Sequence, residues 1–201
     1  MKNKIKFVYF DAGGVMFRWK ELIKILAKKY KVDFKKLFQV YSKLEESALR
    51  GHSTTDELWH NIRREMNIPS ERDFDFSMES VKGFIPIKET HYLIKKVSRK
   101  YPVGILSNAH SGIIKLAVKH GHIPRHDFSV VIESCMIGLI KPEKEIYEHA
   151  RKYAGVPHKN ILFIDDMDIN IIAAQKLGWQ GIVFDTENPT KSINEIIKKL
   201  D

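Results

Sequence analysis

The 201 residues suffice for one large domain or a domain with a sizeable insertion, and 43% apolar with 29% charged residues is a globular balance that excludes global disorder. The 34 basic residues exceed the 25 acidic ones by 9, a surplus that attracts phosphate esters as readily as nucleic acid. No apolar run approaches the ~18 residues of a transmembrane helix, so no membrane partner is expected, and the single Cys135 cannot close an internal disulfide, which makes a reducing cytoplasm the expected compartment.

In chain order, the basic start Met1–Lys6 has no signal-peptide core or cleavage site and leads into a first strand, Ile5–Phe10, which ends at Asp11-Ala12-Gly13-Gly14. The local basic excess from Arg18 to Lys36 interleaves with Leu22, Ile23, Ile25, Leu26 and Ala27 at helical spacing. That is the solvated face of an amphipathic helix. No recognised module or aromatic stacking motif accompanies it, so nucleic acid is not an expected partner. Phe34, Leu37, Phe38, Tyr41, Leu44 and Ala48 share a second helical face, and Thr54-Thr55-Asp56-Glu57 is a capping box ahead of Leu58, Trp59, Ile62 and Met66. No strand signal breaks this interval; Gly83 to Pro86 marks its return, and a helix follows over 88–100. Val103–Leu106, Val130–Ile132, Ile161–Ile164 and Ile182–Phe184 then read as strands buried on both faces. The helices between them stop at Gly121, Gly155 and Gly178, the second carrying Pro142 in its first turn. Strand–helix–strand alternation predicts an α/β fold with a doubly wound parallel sheet. Residues 1–16 and 88–201 form its core, and 17–87 form a helical unit inserted after the first strand.

Ligands of such sheets bind beyond the carboxyl ends of the strands. There the sequence puts Asp11 after the first strand, Ser107-Asn108 after the second, Lys141-Pro142-Glu143 after the third and Asp165-Asp166 after the fourth. Converging carboxylates repel unless a cation lies among them, and an oxygen-only donor set favours Mg²⁺ over Ca²⁺. With Lys141 as a second positive charge and Ser107 as a donor, the set suits a dianionic phosphoryl group that Asp11 could attack in line.

The stretches FVYFDAGGVMF, ILSN, KPEKEIY and FIDDMDIN resemble, in this order, the four motifs of the haloacid dehalogenase (HAD) superfamily, over nearly the whole chain. The resemblance implies a Rossmann-like HAD core with a small helical cap, and Mg²⁺-dependent hydrolysis of a phosphomonoester through an aspartyl-phosphate. It makes Asp11 the nucleophile. Asp11, the Gly13 carbonyl, Asp165 and Asp166 become the metal ligands, with Asp165 acting directly or through water. Ser107 and Asn108 hold the phosphate, Lys141 stabilises developing charge, and Asn170 orders the fourth loop. The expected partner is a small phosphorylated metabolite, with a sugar phosphate as the analogy-based example.

Phosphatases of this superfamily usually carry an aspartate two residues after the nucleophile as general acid and base, where this chain has Gly13. The Asp-x-Gly-Gly-Val motif resembles glucose-1-phosphate phosphatase-like members. Two other activities fit a missing acid: a 2-haloacid dehalogenase, and a non-catalytic phosphate- or partner-binding protein on the same scaffold. General acid–base help is worth about 10²–10⁴ in rate; His52 and His60 are the first substitutes to consider, and an aspartate placed at 13 should raise rates on poor leaving groups. The His120, His122, His126 cluster has no metal-binding spacing and reads as an exposed loop. Cys135 reads as a small buried hydrophobe, and Asp168 as a helix N-terminal residue. Trp19, Trp59, Phe17 and Tyr41 read as packing between cap and core, with one or two lining the pocket.

Overall fold

β1 (Phe7–Phe10) leads to a short strand β2 (Phe17–Arg18) and four helices, α1 (Glu21–Tyr30), α2 (Phe34–Leu49), α3 (Thr55–Met66) and α4 (Phe76–Lys82). The chain returns through β3 (Ile85–Pro86) and α5 (Lys88–Val97) to β4 (Val103–Ser107), α6 (Ile113–Lys119), β5 (Val130–Glu133) and α7 (Ser134–Ile137). It ends with α8 (Lys144–Ala154), β6 (Ile161–Asp165), α9 (Asp168–Lys176), β7 (Gln180–Val183) and α10 (Pro189–Leu200). This computed structural model describes residues 4–70 and 74–201, so the basic reading of Met1 to Asn3 lies outside the described residues.

The five longer strands form one parallel sheet in the order β5-β4-β1-β6-β7. Alternate residues of β1 feed two cores: Val8 and Phe10 pack with Leu93, Ile114 and Ile196, whereas Phe7 and Tyr9 pack with Ile146, Tyr147 and Trp179. This is the predicted doubly wound parallel sheet, and its two cores follow from the period-2 side-chain alternation of a strand covered on both faces. β1, β4 and β6 are buried throughout, as expected. The edge strands are not: Val131 in β5 is 43% exposed and Val183 in β7 is 41% exposed. A short apolar run looks the same at a sheet's edge and in its middle.

α2 and α3 stand where their apolar periodicity predicts, and α3 opens with the full capping box between Thr54 and Glu57. Such caps are typically worth ~1 kcal/mol. α8 and α6 end at left-handed Gly155 and beside left-handed Gly121. Pro142, however, precedes the Glu143 N-cap of α8 and forms a cis bond with Lys141, so it lies in the loop rather than in the first turn. Within the stretch read as wholly helical, β2 and β3 pair antiparallel, Phe17 with Pro86 and Arg18 with Ile85. Two-residue strands are too short to leave a periodic signal. They bring together the two ends of the segment carrying α1–α4, whose own core is built on Leu22, Leu26, Leu37, Leu58, Trp59 and Phe76.

This bundle is tied to the sheet domain at one corner. Arg50, just past α2, pairs with Glu143 and also reaches the Gly138 carbonyl at 3.3 Å. The Ser134 hydroxyl donates to the Leu49 carbonyl at 2.6 Å. Gly51, at φ +71°, lies so close to α7 that an added Cβ would stand 2.2 Å from the Cys135 carbonyl oxygen, so only glycine fits there.

Candidate active site

β1 is central, so its carboxyl end faces those of β4 and β6 on either side. Phe10 is in register with Ile105 and Ile164, and the Asp11 N–H continues the ladder by donating to the Ile164 carbonyl at 2.8 Å. Asp11 therefore stands between Ser107 at the end of β4 and Asp165 at the end of β6. One carboxylate oxygen each from Asp11, Asp165 and Asp166 lies within 4.8 Å of the others, the one group of at least three His, Cys, Asp or Glu side chains with such spacing among the described residues.

Lys141 crosses beneath this group with a side chain 1% exposed. Its ammonium lies 3.0 Å from Asp11 Oδ1 and donates to Asp165 Oδ2 at 2.6 Å and to the Leu106 carbonyl at 3.0 Å. Burial alone would favour the neutral amine, but Asp11 and Asp165 more than offset it and hold the ammonium above the usual lysine range. The Asn108 side chain fixes the loop: Nδ2 donates to the Lys141 carbonyl at 2.9 Å, and Oδ1 accepts from the Lys141 N–H at 2.8 Å. Its amide is thus committed to Lys141. Asn170 Nδ2 contacts both Asp165 oxygens at 3.0 and 3.1 Å, and the Met167 N–H donates to Asp165 Oδ1 at 2.8 Å. This is the loop-ordering place expected of Asn170.

Three carboxylates against one ammonium leave excess negative charge in a poorly hydrated place. Burial pushes the Asp11 carboxyl up to about 7; Lys141 opposes the shift, Asp165 and Asp166 add to it, and a hydrogen bond from Ser107 opposes it. Burial, then Asp165, likewise raises Asp166 to about 6. A divalent cation would relieve both, and the oxygen-only donors fit Mg²⁺. Gly14 leaves space for this arrangement: at φ +76°, a Cβ would stand 2.2 Å from Asp166 Oδ2. Gly14→Ala is therefore expected to displace the Asp166 carboxylate. A crystal structure of the variant checks this, and an Asp166 carboxylate left in place would contradict it.

The site opens into a cavity of about 480 Å³. Asp11, Gly13, Ser107, Asn108, Lys141 and Asp166 lie on its sheet side, and the other walls come from α1, α2, α4 and α6, from Met167 and Asn170 at the start of α9, and from Phe17, Trp19, Lys20, Phe84, Ala109 and His110 between the helices. Phe17, Trp19 and Tyr41 line it, whereas Trp59 is stacked inside the bundle, 4.9 Å from Phe74 and 5.3 Å from Phe76. Trp19 also changes the meaning of Gly13. A Cβ at Gly13 would lie 3.1 Å from the Trp19 ring, so the indole crowds the space of an aspartate there. The expected gain from an aspartate at 13 thus requires Trp19 to move.

His52 and His60 are exposed and do not line the cavity. Sequence reasoning passed over Glu45 and His110, which do. Nothing in local patterning separates Glu45 from the other acids of α2; His110, three residues beyond Ser107, could have been found by extending the second motif one turn. Asp168 opens α9 as expected. The His120 and His122 rings stack 6.5 Å apart without forming a metal cluster. Cys135 is half-buried rather than buried, its thiol pushed up to about 11 mainly by desolvation.

A profile of the haloacid dehalogenase-like hydrolases matches residues 10–178. Sesquiterpene phosphatase astK of Aspergillus oryzae is 24% identical over 184 residues, covering 90% of this chain and 91% of that protein. A HAD family enzyme from Bacteroides thetaiotaomicron, solved with magnesium and inorganic phosphate, superposes with a TM-score of 0.74 at 25% identity, over 90% of this chain and 95% of that one. The L-2-haloacid dehalogenase of Xanthobacter autotrophicus shares the fold at 18% identity, with a TM-score of 0.69 over 90% of this chain and 77% of that one.

Proposed function

The chain belongs to the haloacid dehalogenase-like hydrolases, and we propose that it is a Mg²⁺-dependent phosphatase whose residues 17–87 act as a cap over the site. The observation that carries this reading is the group formed by Asp11, Asp165 and Asp166, with one buried ammonium among them and a cavity in front. Asp11 and Asp166, with the Gly13 carbonyl, would hold the ion. Asp165, already engaged by Lys141, Asn170 and Met167, would support it through water. Bound Mg²⁺ would neutralise the phosphoryl oxygens and fix them for attack. Asp11 attacks phosphorus in line, and Ser107 donates to a non-bridging oxygen. Lys141 holds Asp11 oriented and adds positive charge where the transition state gains negative charge. Halide displacement suits the site less well, because Asp166 would face an anionic haloacid without a paired cation.

The alcohol part of the substrate is apolar. Trp19, Phe38, Phe84, Leu22, Ile113 and Ile114 give the cavity a broad apolar wall that a hydrocarbon group would cover, with Lys20, Tyr41, Ser42, Glu45, Ser80 and His110 as the polar side chains beside it. The likeness to a protein named sesquiterpene phosphatase points the same way. Inorganic phosphate release from aryl, isoprenyl and sugar phosphates, with Mg²⁺ and with EDTA, tests both claims. Apolar esters should exceed sugar phosphates by at least about tenfold in kcat/KM, since two buried methylenes at ~0.8 kcal/mol each already suffice. EDTA should abolish all turnover. Preferred sugar phosphates would overturn the substrate assignment, and turnover indifferent to EDTA would overturn the metal.

A further inference from the structure

In-line attack puts the leaving oxygen on the side of phosphorus opposite Asp11, towards the cavity and the cap. Gly13 offers no proton there, and Trp19 occupies the space beside it. Glu45 and Tyr41, four residues apart on one face of α2, both line the cavity. We propose that Glu45, carried by the cap, is the general acid and base that position 13 lacks, a role that rests on the phosphatase reading above. In the first step the Asp11–phosphorus bond forms as the phosphorus–oxygen ester bond breaks, and the Glu45 carboxylic acid gives its proton to the departing alkoxide. In the second, water attacks phosphorus, the Asp11–phosphorus bond breaks, and the Glu45 carboxylate takes a proton from that water. Glu45 ends protonated, ready for the next cycle.

The surroundings of Glu45 fit this work. Burial lifts its carboxyl to about 7, with a hydrogen bond from Tyr41 opposing the shift, so both protonation states are accessible near neutrality. The groups able to titrate or carry charge that share the cavity are Tyr41 on its own helix, Lys20 before α1, His110 after β4, and the cluster of Asp11, Lys141 and Asp166. Of the helices packed on α2, α1 contributes only Leu22 and Ile23 to the walls, and α3 and α7 contribute nothing among the described residues. Burial drives His110 down to about 4, which leaves it without a spare proton at pH 7. Burial drives the Tyr41 phenol up, far from neutrality. Glu45 is the group on the cap side whose proton can move in both directions.

The test compares wild type, Glu45→Gln, Glu45→Asp and Asp11→Asn with Mg²⁺ on p-nitrophenyl phosphate and a series of alkyl phosphates. Glu45→Gln should lower kcat on alkyl esters by about 10²-fold or more. On p-nitrophenyl phosphate it should show a burst of one nitrophenolate per enzyme followed by slow turnover, because a good leaving group needs no acid but the aspartyl-phosphate still needs a base. The pH-rate limb near 7 should vanish in Glu45→Gln and persist in Glu45→Asp. A uniform fall across leaving groups, with no burst and an unchanged pH profile, overturns the role of Glu45 while wild-type turnover abolished by Asp11→Asn keeps the phosphatase reading. Absence of wild-type turnover on every ester overturns both.

Discussion

Asp11→Asn is expected to lower kcat for phosphate release by at least about 10⁴-fold, the scale on which removal of a nucleophile acts. The amide has nearly the shape of the carboxylate but cannot form the acyl phosphate. Asp11 is 8% exposed and reached by two fixed donors, its neighbour's N–H at 2.7 Å and the Lys141 ammonium at 3.0 Å. Asp165, by contrast, is fully buried with both oxygens engaged. Circular dichroism should show a folded chain, and rapid quench of the wild type should trap a phosphoenzyme that the variant lacks. Residual turnover above about one per cent in a folded Asp11→Asn preparation would remove Asp11 from the nucleophile's role.

Lys141→Met should affect the fold as well as the rate. The ammonium satisfies the Leu106 carbonyl, Asp165 and Asp11 together, and removing it leaves Asp165 and Asp11 as neighbouring buried acids without their cation. Breaking a buried pair on one side typically costs about 3–5 kcal/mol. In a chain of this size each kcal/mol moves Tm by roughly 2–4 °C, so a fall of about 6–20 °C in EDTA is expected. Mg²⁺ should recover part of it by binding the folded form. The kcat should drop by about 10²–10³, the usual effect of losing one donor to developing charge. A variant that melts with the wild type in EDTA would show that Lys141 does not hold the carboxylates together.

Much of the chemistry was legible because it sits at the ends of apolar runs. Phe7–Phe10 and Ile161–Asp165 are strands that burial forces to the middle of the sheet, so the acids that end or follow them had to emerge at one edge. The capping box at Thr54 and the glycine at 155 were equally plain, since helix ends are settled by the hydrogen-bonding needs of a few adjacent residues. Contacts between distant segments were not legible. The Trp19 ring against Gly13, the Arg50–Glu143 pair and the Asn108 amide committed to Lys141 depend on how bundle and loops settle over the sheet. Two exposed histidines of the helical bundle illustrate the same limit: His52 and His60 had suitable chemistry at unsuitable places.

The amino-acid sequence alone therefore determined the parallel sheet, the inserted helices and the acids, serine and lysine at its carboxyl edge, because periodicity and strand ends are local properties written residue by residue. Only the tertiary structure decided which side chains of the helical bundle look into the cavity, that Glu45 and His110 are among them, and that an indole fills the space beside Gly13. Those outcomes come from packing two cores against each other, where a rotation of one helix by a single residue would expose a different face.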